Sequence, residues 1–208
     1  MFMFDLKRPL PARLIFQRCR AFCNDTMSFE KCILTILIIS TGIVSCRQTN
    51  NNGQLNINID KILEIEDETT AIIELDSKLN EISEYGEKIE KLNESQKTVL
   101  FVENLEREIN NGGFNQFFFN SSGDFTHETI NALKTIKAFK TADIVTKSIS
   151  VWPNQNVPKD RAKRQDILEE IEEQANPIWN ECDEEFYKYQ DNIVTLLLDY
   201  VKSNKTDF

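Results

Sequence analysis

NNGGFNQFFFNSSG, at residues 110–123, is the most informative stretch of the chain, because it combines glycines, side-chain amides and four phenylalanines between two helical patterns. Helix interiors disfavour this much Gly and Asn. The stretch predicts a helix stop with left-handed backbone at the glycines, then a buried aromatic turn and a second stop. Phe114, Phe117 and Phe118 are expected in the core. The side-chain amides of Gln116 and Asn120 are expected to bind loop backbone. The residues expected to shape the stretch are Asn111, Gly112, Gly113, Phe114, Gln116, Phe117, Phe118, Asn120 and Gly123.

Apolar residues recur at three- and four-residue steps on both sides of this stretch, which indicates amphipathic helices. No segment alternates convincingly as a strand. The sequence therefore predicts an all-α, single compact multi-helix domain over residues 60–208. The expected helices are 60–93 with breaks near 66–68 and 85–86, Gln96 to about Asn110 capped by Ser95, and one or two helical turns over Phe114 to Asn120. Beyond them we expect a helix from Thr126 to about Lys140 with Phe139 inward, a helix capped by Thr141, and a helix from Asp160 or Lys159 to Glu173 with an interruption at Asn176-Pro177. Ile178 to about Ser203 is expected to form one long helix or a pair.

The chain is acidic, with 24 Lys and Arg against 34 Asp and Glu among 208 residues and a formal net charge of −10. Residues 1–46 hold six basic and three acidic side chains, so residues 47–208 hold 18 basic and 31 acidic ones. A surface this negative repels nucleic acid and favours basic partners. The hydrophobic content of 40% supports a packed core and argues against global disorder.

An apolar run of 13 residues, 33–45, precedes Cys46. It is shorter than the roughly 20 residues of a membrane-spanning helix and suits the core of a secretory signal peptide. Ile43-Val44-Ser45-Cys46 resembles a bacterial lipobox, which predicts a lipid on Cys46 and an anchor in the bacterial cell envelope. The predicted organisation is an upstream extension over 1–26, a signal over 27–46, an Asn-rich tether over 47–59 and the helical domain over 60–208.

Other interpretations of the apolar run stay open. It also fits a buried core helix, a simple cleaved signal, or a cytosolic or membrane-anchored form. Positive charge before the run is sparse, since only Lys31 follows Met27 there.

Motifs for catalysis, cofactors or metal ions are lacking in the sequence. Gly112-Gly113 has no following Lys-Ser/Thr, as a phosphate-binding loop would. Beyond Cys46 the chain holds one Cys and one His, too few for a zinc site. Cys182 is expected to be a half-buried small side chain and His127 an exposed residue of a first helical turn. We therefore expect a non-enzymatic protein without a cofactor, and a hydrolase with paired carboxylates is the enzymatic alternative.

Charge is the clearest signal outside the core. On a helix, carboxylates three or four residues apart lie about 5–6 Å from each other, similar in scale to phosphates along a nucleic-acid strand. Such a face is either an ordinary solvated surface or a surface for a basic protein partner. The candidate surface consists of nine acidic residues, with no Lys or Arg among them in sequence: Asp166, Glu169, Glu170, Glu172, Glu173, Glu181, Asp183, Glu184 and Glu185.

From about residue 95 to 208 the chain resembles the DNA-mimic-protein-like domain family. The resemblance lies in residues 106–123, in Ala132-Leu133-Lys134-Thr135-Ile136, in the 152–164 loop and in Asp183-Glu184-Glu185-Phe186-Tyr187. It implies an all-α fold and, for one kind of member, an acidic dimer that imitates DNA and occupies a DNA-binding protein. The shared motif is mostly core and turn, so it indicates fold rather than partner.

Four functions are compatible with these features. The leading hypothesis is a lipid-anchored envelope protein that binds a basic partner, alone or as a homodimer. The second is a cytosolic DNA mimic, which requires the lipobox interpretation to be wrong. The third is an immunity-type lipoprotein that neutralises a basic toxin, and the fourth is an uncharacterised hydrolase.

Overall fold

The computed structural model describes residues 57–208, and the predicted extension, signal peptide, Cys46 and residues 47–56 of the tether lie outside this part of the chain. No strand occurs within residues 57–208, which confirms the predicted all-α class. The helices are α1 (Ile59–Leu63), α2 (Glu68–Ile82), α3 (Glu94–Phe119), α4 (Thr126–Thr135), α5 (Phe139–Ser148), α6 (Arg161–Phe186) and α7 (Ile193–Ser203). Short 3-10 helices lie at Ile89–Lys91, Ser121–Phe125, Ile149–Val151, Pro153–Gln155 and Lys205–Asp207.

Helix α3 is the centre of the packing, since α2, α4 and α6 all contact it. It begins with a capping box, in which the Asn93 side chain accepts from the Gln96 N–H at 2.9 Å and Gln96 Oε1 accepts from the Asn93 N–H at 3.1 Å. The prediction of Ser95 as the cap is wrong. Ser95 is buried in the first turn and donates to Asp207 at 2.6 Å, which ties the start of α3 to the C-terminal end of the chain.

At Gly112 and Gly113 the backbone of α3 breaks and restarts at once. Gly113 has φ +73° and ψ −170°, a conformation that suits glycine but is not the left-handed helical one. The helix stop at the glycines and the helical aromatic segment after it agree with the prediction, whereas the predicted left-handed cap conformation is therefore wrong. The reason is a contact from another helix: Asp183 of α6 accepts from the Phe114 N–H at 2.9 Å and so caps the restarted segment. A Cβ on Gly113 would collide with that carboxylate.

The aromatic residues of the restarted segment form the core, as predicted. Phe114, Phe117 and Phe118 are fully buried. The ring of Phe118 lies 5.2 Å from that of Trp152 and 5.3 Å from that of Trp179, centroid to centroid. These rings join α3 to α6 and to the connection before it.

Helix α6 runs without interruption through Pro177, so the predicted break at Asn176-Pro177 is wrong. Proline removes one backbone N–H from the helix ladder. Tertiary contacts offset this loss, because Ala175 and Trp179 on either side are buried and Trp179 Nε1 donates to the Ser148 carbonyl at 2.9 Å.

Helix α4 is shorter than predicted. It ends at Thr135, and Lys137 has φ +69°, so the chain turns before Lys140. Phe139, expected inward, begins α5 and is 56% exposed. Thr141 does not cap α5, because its own N–H and hydroxyl donate to Asp191 at 2.8 and 3.1 Å.

The start of α4 also differs from the prediction. Thr126 lies inside the helix and its hydroxyl donates to the Gly123 carbonyl at 2.8 Å, so it supplies no N-cap bond. Ser121–Phe125 is a 3-10 helix that leads directly into α4. At the N-terminal end of the described chain, Ile57 and Ile59 are buried, so packed structure begins within the segment predicted as tether.

Arg164, in the first turns of α6, is fully buried and bonded on every side. Its Nε donates to the Phe118 carbonyl at 2.7 Å and one terminal nitrogen to the Asn120 carbonyl at 2.8 Å and Asp124 at 2.5 Å. The other terminal nitrogen donates to the carbonyls of Pro158 and Lys159 at 2.8 and 3.2 Å. One side chain thus connects the end of α3, the next 3-10 helix and the loop before α6.

Phe117→Ala should lower the free energy of unfolding by about 3–5 kcal/mol, because it empties a fully buried aromatic site. Phe119→Ala is the matched control: Phe119 is 50% exposed, and its loss should cost only about 0.5 kcal/mol. Urea unfolding of both variants checks this. Equal losses for the two would contradict the core assignment.

Arg164→Leu should destabilise the protein by about 3–5 kcal/mol, because it removes the donor to the buried Phe118 carbonyl and the 2.5 Å bond to Asp124. Arg161→Leu, on the same helix, removes a half-exposed guanidinium whose contact with Asp124 is 3.4 Å, and should cost under about 1 kcal/mol. Chemical denaturation measures both, and a stable Arg164→Leu protein would show that this hydrogen-bond junction is dispensable.

Candidate protein-binding surface

Three polar residues of the 110–123 stretch donate hydrogen bonds to the same carboxylate. Glu108 accepts from Gln116 and Asn120, each at 2.8 Å, and from the Ser122 hydroxyl at 3.0 Å. The prediction that these amides bind loop backbone is therefore wrong. Glu108 lies in the first segment of α3. Its hydrogen bonds therefore connect this segment with the second segment of α3 and with the following 3-10 helix.

Gly123 is set by close packing. A Cβ there would lie 2.8 Å from both Arg164 Nε and the Phe117 carbonyl oxygen, so no other residue fits without displacing this junction. Gly113 and Gly123 are thus both required because a Cβ at either position would collide with a neighbouring residue. Neither glycine faces a ligand site.

The exposed part of the candidate acidic surface lies on the first half of α6. Glu169 and Glu170 lie three and four residues after Asp166, and Glu173 lies four and three residues after them, which places the four on one face over about 10 Å of axis. All are exposed, and none forms an ion pair with another residue of the described chain. We call these four residues the α6 acidic face.

Other members of the predicted surface have different surroundings. Glu172 is exposed and accepts from Asn115 at 3.4 Å. Glu181 pairs with Lys147 and Glu185 with Lys188, both at 2.6 Å, which neutralises part of the second half of α6. Glu184 is exposed.

Asp183 does not belong to a partner surface. It is half-buried and caps the restarted segment of α3 through the Phe114 N–H. Burial raises the pKa of its carboxyl to about 6, although the bond from Phe114 opposes that shift. The sequence placed Asp183 on the partner surface because it lies in an acidic run. In the structure Asp183 has a structural role instead.

Sequence reasoning also missed a group of half-buried acids where α2 and α3 meet the segment after α6. Burial raises the pKa of Glu103 to about 8, helped by the nearby carboxyls of Glu106 and Asp76 and opposed by Arg107. Glu103 Oε1 is buried and accepts no hydrogen bond from the described part of the chain. Burial also raises the pKa of Glu106 to about 6, opposed by Tyr189.

Cys182 is fully buried rather than half-buried, and desolvation raises the pKa of its thiol to about 11. It is therefore a thiol inside the core at neutral pH and not a poised nucleophile. His127 lies in the first turn of α4, as predicted, but it is half-buried and its Nε2 accepts from the Val157 N–H at 3.3 Å.

Within residues 57–208, no group of three or more His, Cys, Asp or Glu side chains is placed to hold a metal ion. In the same part of the chain, no helix has the length and apolar composition needed to cross a bilayer. The arrangement offers exposed carboxylates and a folded scaffold that holds them.

Glu103→Gln should flatten the pH dependence of stability. A carboxyl whose folded pKa is raised stabilises the fold only while protonated, so wild-type stability should fall as pH rises from about 5 to about 8. The variant should gain up to a few kcal/mol over wild type near pH 8. Melting temperatures across this range, with exposed Glu90→Gln as control, measure the effect, and parallel curves for wild type and Glu103→Gln would contradict it.

Comparisons with known proteins bear on the helical scaffold. Neither the curated proteins nor the solved structures gave a match. A family described as DMP19-like protein matches residues 90–204, which include α3 to α7 and the whole 110–123 stretch. The match covers more than half of the chain and confirms the resemblance seen in the sequence. The chain therefore belongs to the DMP19-like protein family.

Proposed function

We propose that this protein is a non-enzymatic, acidic protein-binding domain that engages a basic partner through the α6 acidic face. The observation that carries the proposal is the lack of local neutralisation: Asp166, Glu169, Glu170 and Glu173 are exposed on one helical face without an ion pair in the described chain. Ion pairs neutralise carboxylates further along the same helix. Carboxylates without ion pairs produce a negative electrostatic potential that attracts cationic groups.

The surroundings of the α6 acidic face support the same function. Helix α6 is held rigidly from behind by Arg164, Ile171 and Trp179, all buried. Its carboxylates are therefore presented on a fixed scaffold, and little backbone ordering is needed on binding. Electrostatic attraction of this kind chiefly raises association rates and weakens with salt.

Family membership favours a second candidate for the same surface. In a cytosolic DNA mimic, these carboxylates would occupy the phosphate sites of a DNA-binding protein. An immunity-type lipoprotein that captures a basic toxin would use the surface in the same way, in the cell envelope. Both are special cases of a basic partner and differ in where the protein resides.

Neutralising the α6 acidic face should weaken binding of a basic probe more than neutralising other acids. The variant Asp166→Asn/Glu169→Gln/Glu170→Gln/Glu173→Gln should bind a decameric arginine peptide at least about tenfold more weakly, in calorimetry at low salt. The matched control removes the same charge elsewhere at exposed acids: Glu64→Gln/Glu66→Gln/Glu87→Gln/Glu90→Gln.

If the two quadruple variants lose affinity equally, binding reflects net charge alone and the proposed surface is rejected. A purified DNA-binding protein, tested in the same titration, separates the DNA-mimic candidate. Competition with duplex DNA for that protein would favour DNA mimicry.

We further propose that Cys46 carries a lipid and that the protein resides in the bacterial cell envelope. The support is the lipobox-like Ile43-Val44-Ser45-Cys46 after an apolar run, followed by a polar tether. Cells expressing the full chain should incorporate labelled palmitate into the protein in the membrane fraction, and Cys46→Ala should abolish the label. An unlabelled wild-type protein in the cytoplasmic fraction would overturn the anchor and leave cytosolic DNA mimicry as the stronger candidate.

A further inference from the structure

A polar cleft of about 430 Å³ lies where the turn after α2 faces α3, the Ser121–Phe125 3-10 helix and the start of α6. One wall comes from Asn80, Tyr85 and Glu87, and the opposite wall from Asn104, Ser121 and Arg161. Its volume falls within the range of small-molecule sites. The cleft is separate from the α6 acidic face, and none of the four residues of that face lines it.

Several polar groups in this cleft have unused hydrogen-bonding capacity within residues 57–208. Asn80 donates through Nδ2 to Asp76, which leaves its Oδ1 as an acceptor. Asn104 accepts from Arg107 at Oδ1, which leaves its Nδ2 as a donor. The Ser121 hydroxyl is exposed, and the half-exposed Arg161 guanidinium makes a single contact of 3.4 Å. The cleft therefore offers both hydrogen-bond donors and acceptors.

The turn that forms the first wall holds an aromatic ring at the cleft in an unusual backbone conformation. Glu84, Tyr85 and Gly86 have consecutive φ values of +51°, +58° and +89°. Positive φ at two successive non-glycine residues costs free energy, and such conformations concentrate where a site must be shaped. The result is a Tyr85 side chain that is 79% exposed, a costly placement for an aromatic ring without a partner.

The charges in the cleft argue against an ionic ligand. Arg107 and Arg161 face Glu87, Glu108 and Asp124, so the lining is close to balanced. Glu108 is already bonded to three donors, and Asp124 to Arg164. A small anion or cation would therefore gain little net electrostatic attraction. The groups that remain are the Glu87 carboxylate and the Arg161 guanidinium, which are opposite in charge, together with neutral amide and hydroxyl groups and an aromatic face.

We infer that this cleft binds a neutral saccharide. Adjacent sugar hydroxyls both donate and accept, which suits a cleft lined by amide, hydroxyl and guanidinium groups. The apolar C–H face of a pyranose ring can stack on an exposed aromatic ring such as Tyr85. This inference goes beyond the proposed function and does not depend on it. Tyr85 lies outside the 90–204 family match, whereas Asn104, Ser121 and Arg161 lie within it.

The test is NMR titration of the isotopically labelled protein with maltose and with chitobiose, each to about 20 mM, which suits the millimolar affinities of short saccharides. Citrate and trialanine represent anionic and peptide ligands. We expect a saccharide to shift the signals of Asn104, Ser121 and Arg161, with little change at the α6 acidic face.

Tyr85→Asn is the informative variant, because Asn tolerates positive φ and the turn should keep its conformation. It should raise the saccharide Kd about tenfold, with an unchanged melting temperature. Tyr189→Ala, which removes another exposed tyrosine, is the matched control and should leave the Kd unchanged. Cleft shifts with citrate or trialanine alone, no cleft shifts with either saccharide, or an equal Kd for Tyr85→Asn and wild type would each overturn the inference.

Discussion

The guanidinium of Arg164 satisfies backbone carbonyls that the end of a helix would otherwise leave without donors. The carbonyls of Phe118 and Asn120 close α3, and those of Pro158 and Lys159 belong to the approach to α6. Because the Arg164 side chain and its bond to the Phe118 carbonyl are buried, water does not replace that donor. Gly123 packs closely against the same junction. The Arg164 guanidinium thus stabilises the helical scaffold that carries the α6 acidic face.

The helical class and the aromatic core could be predicted because they rest on periodicity and on the burial of large apolar side chains. The errors share one physical cause, namely contacts from distant parts of the chain. Asp183 caps the segment after Gly113, Asp191 accepts at the start of α5, and the packing of Trp179 carries α6 through Pro177. Arg164 gave no local signal, since a single Arg in a first helical turn is ordinary.

Contacts from distant parts of the chain also decide which residues of the acidic run are exposed. Asp166 and Glu173 are exposed as predicted, whereas Asp183, of the same residue type and on the same helix, is a structural cap. Sequence alone could not separate them, because exposure depends on which neighbours face each position. The 110–123 stretch likewise proved to be a set of packing and hydrogen-bonding residues around Glu108. These residues stabilise the helical scaffold.

The buried carboxyl of Glu103 has a consequence for the charge of the folded molecule. With a folded pKa of about 8, it is largely protonated at neutral pH, whereas in the unfolded chain it would be ionised. Folding at neutral pH therefore takes up protons from the buffer, and Glu106 and Asp183 add to the uptake in mildly acidic solution. The native protein is accordingly less negative than its formal charge of −10 suggests. Folding thus removes negative charge from the partly buried carboxyls of Glu103, Glu106 and Asp183, whose pKa values burial raises.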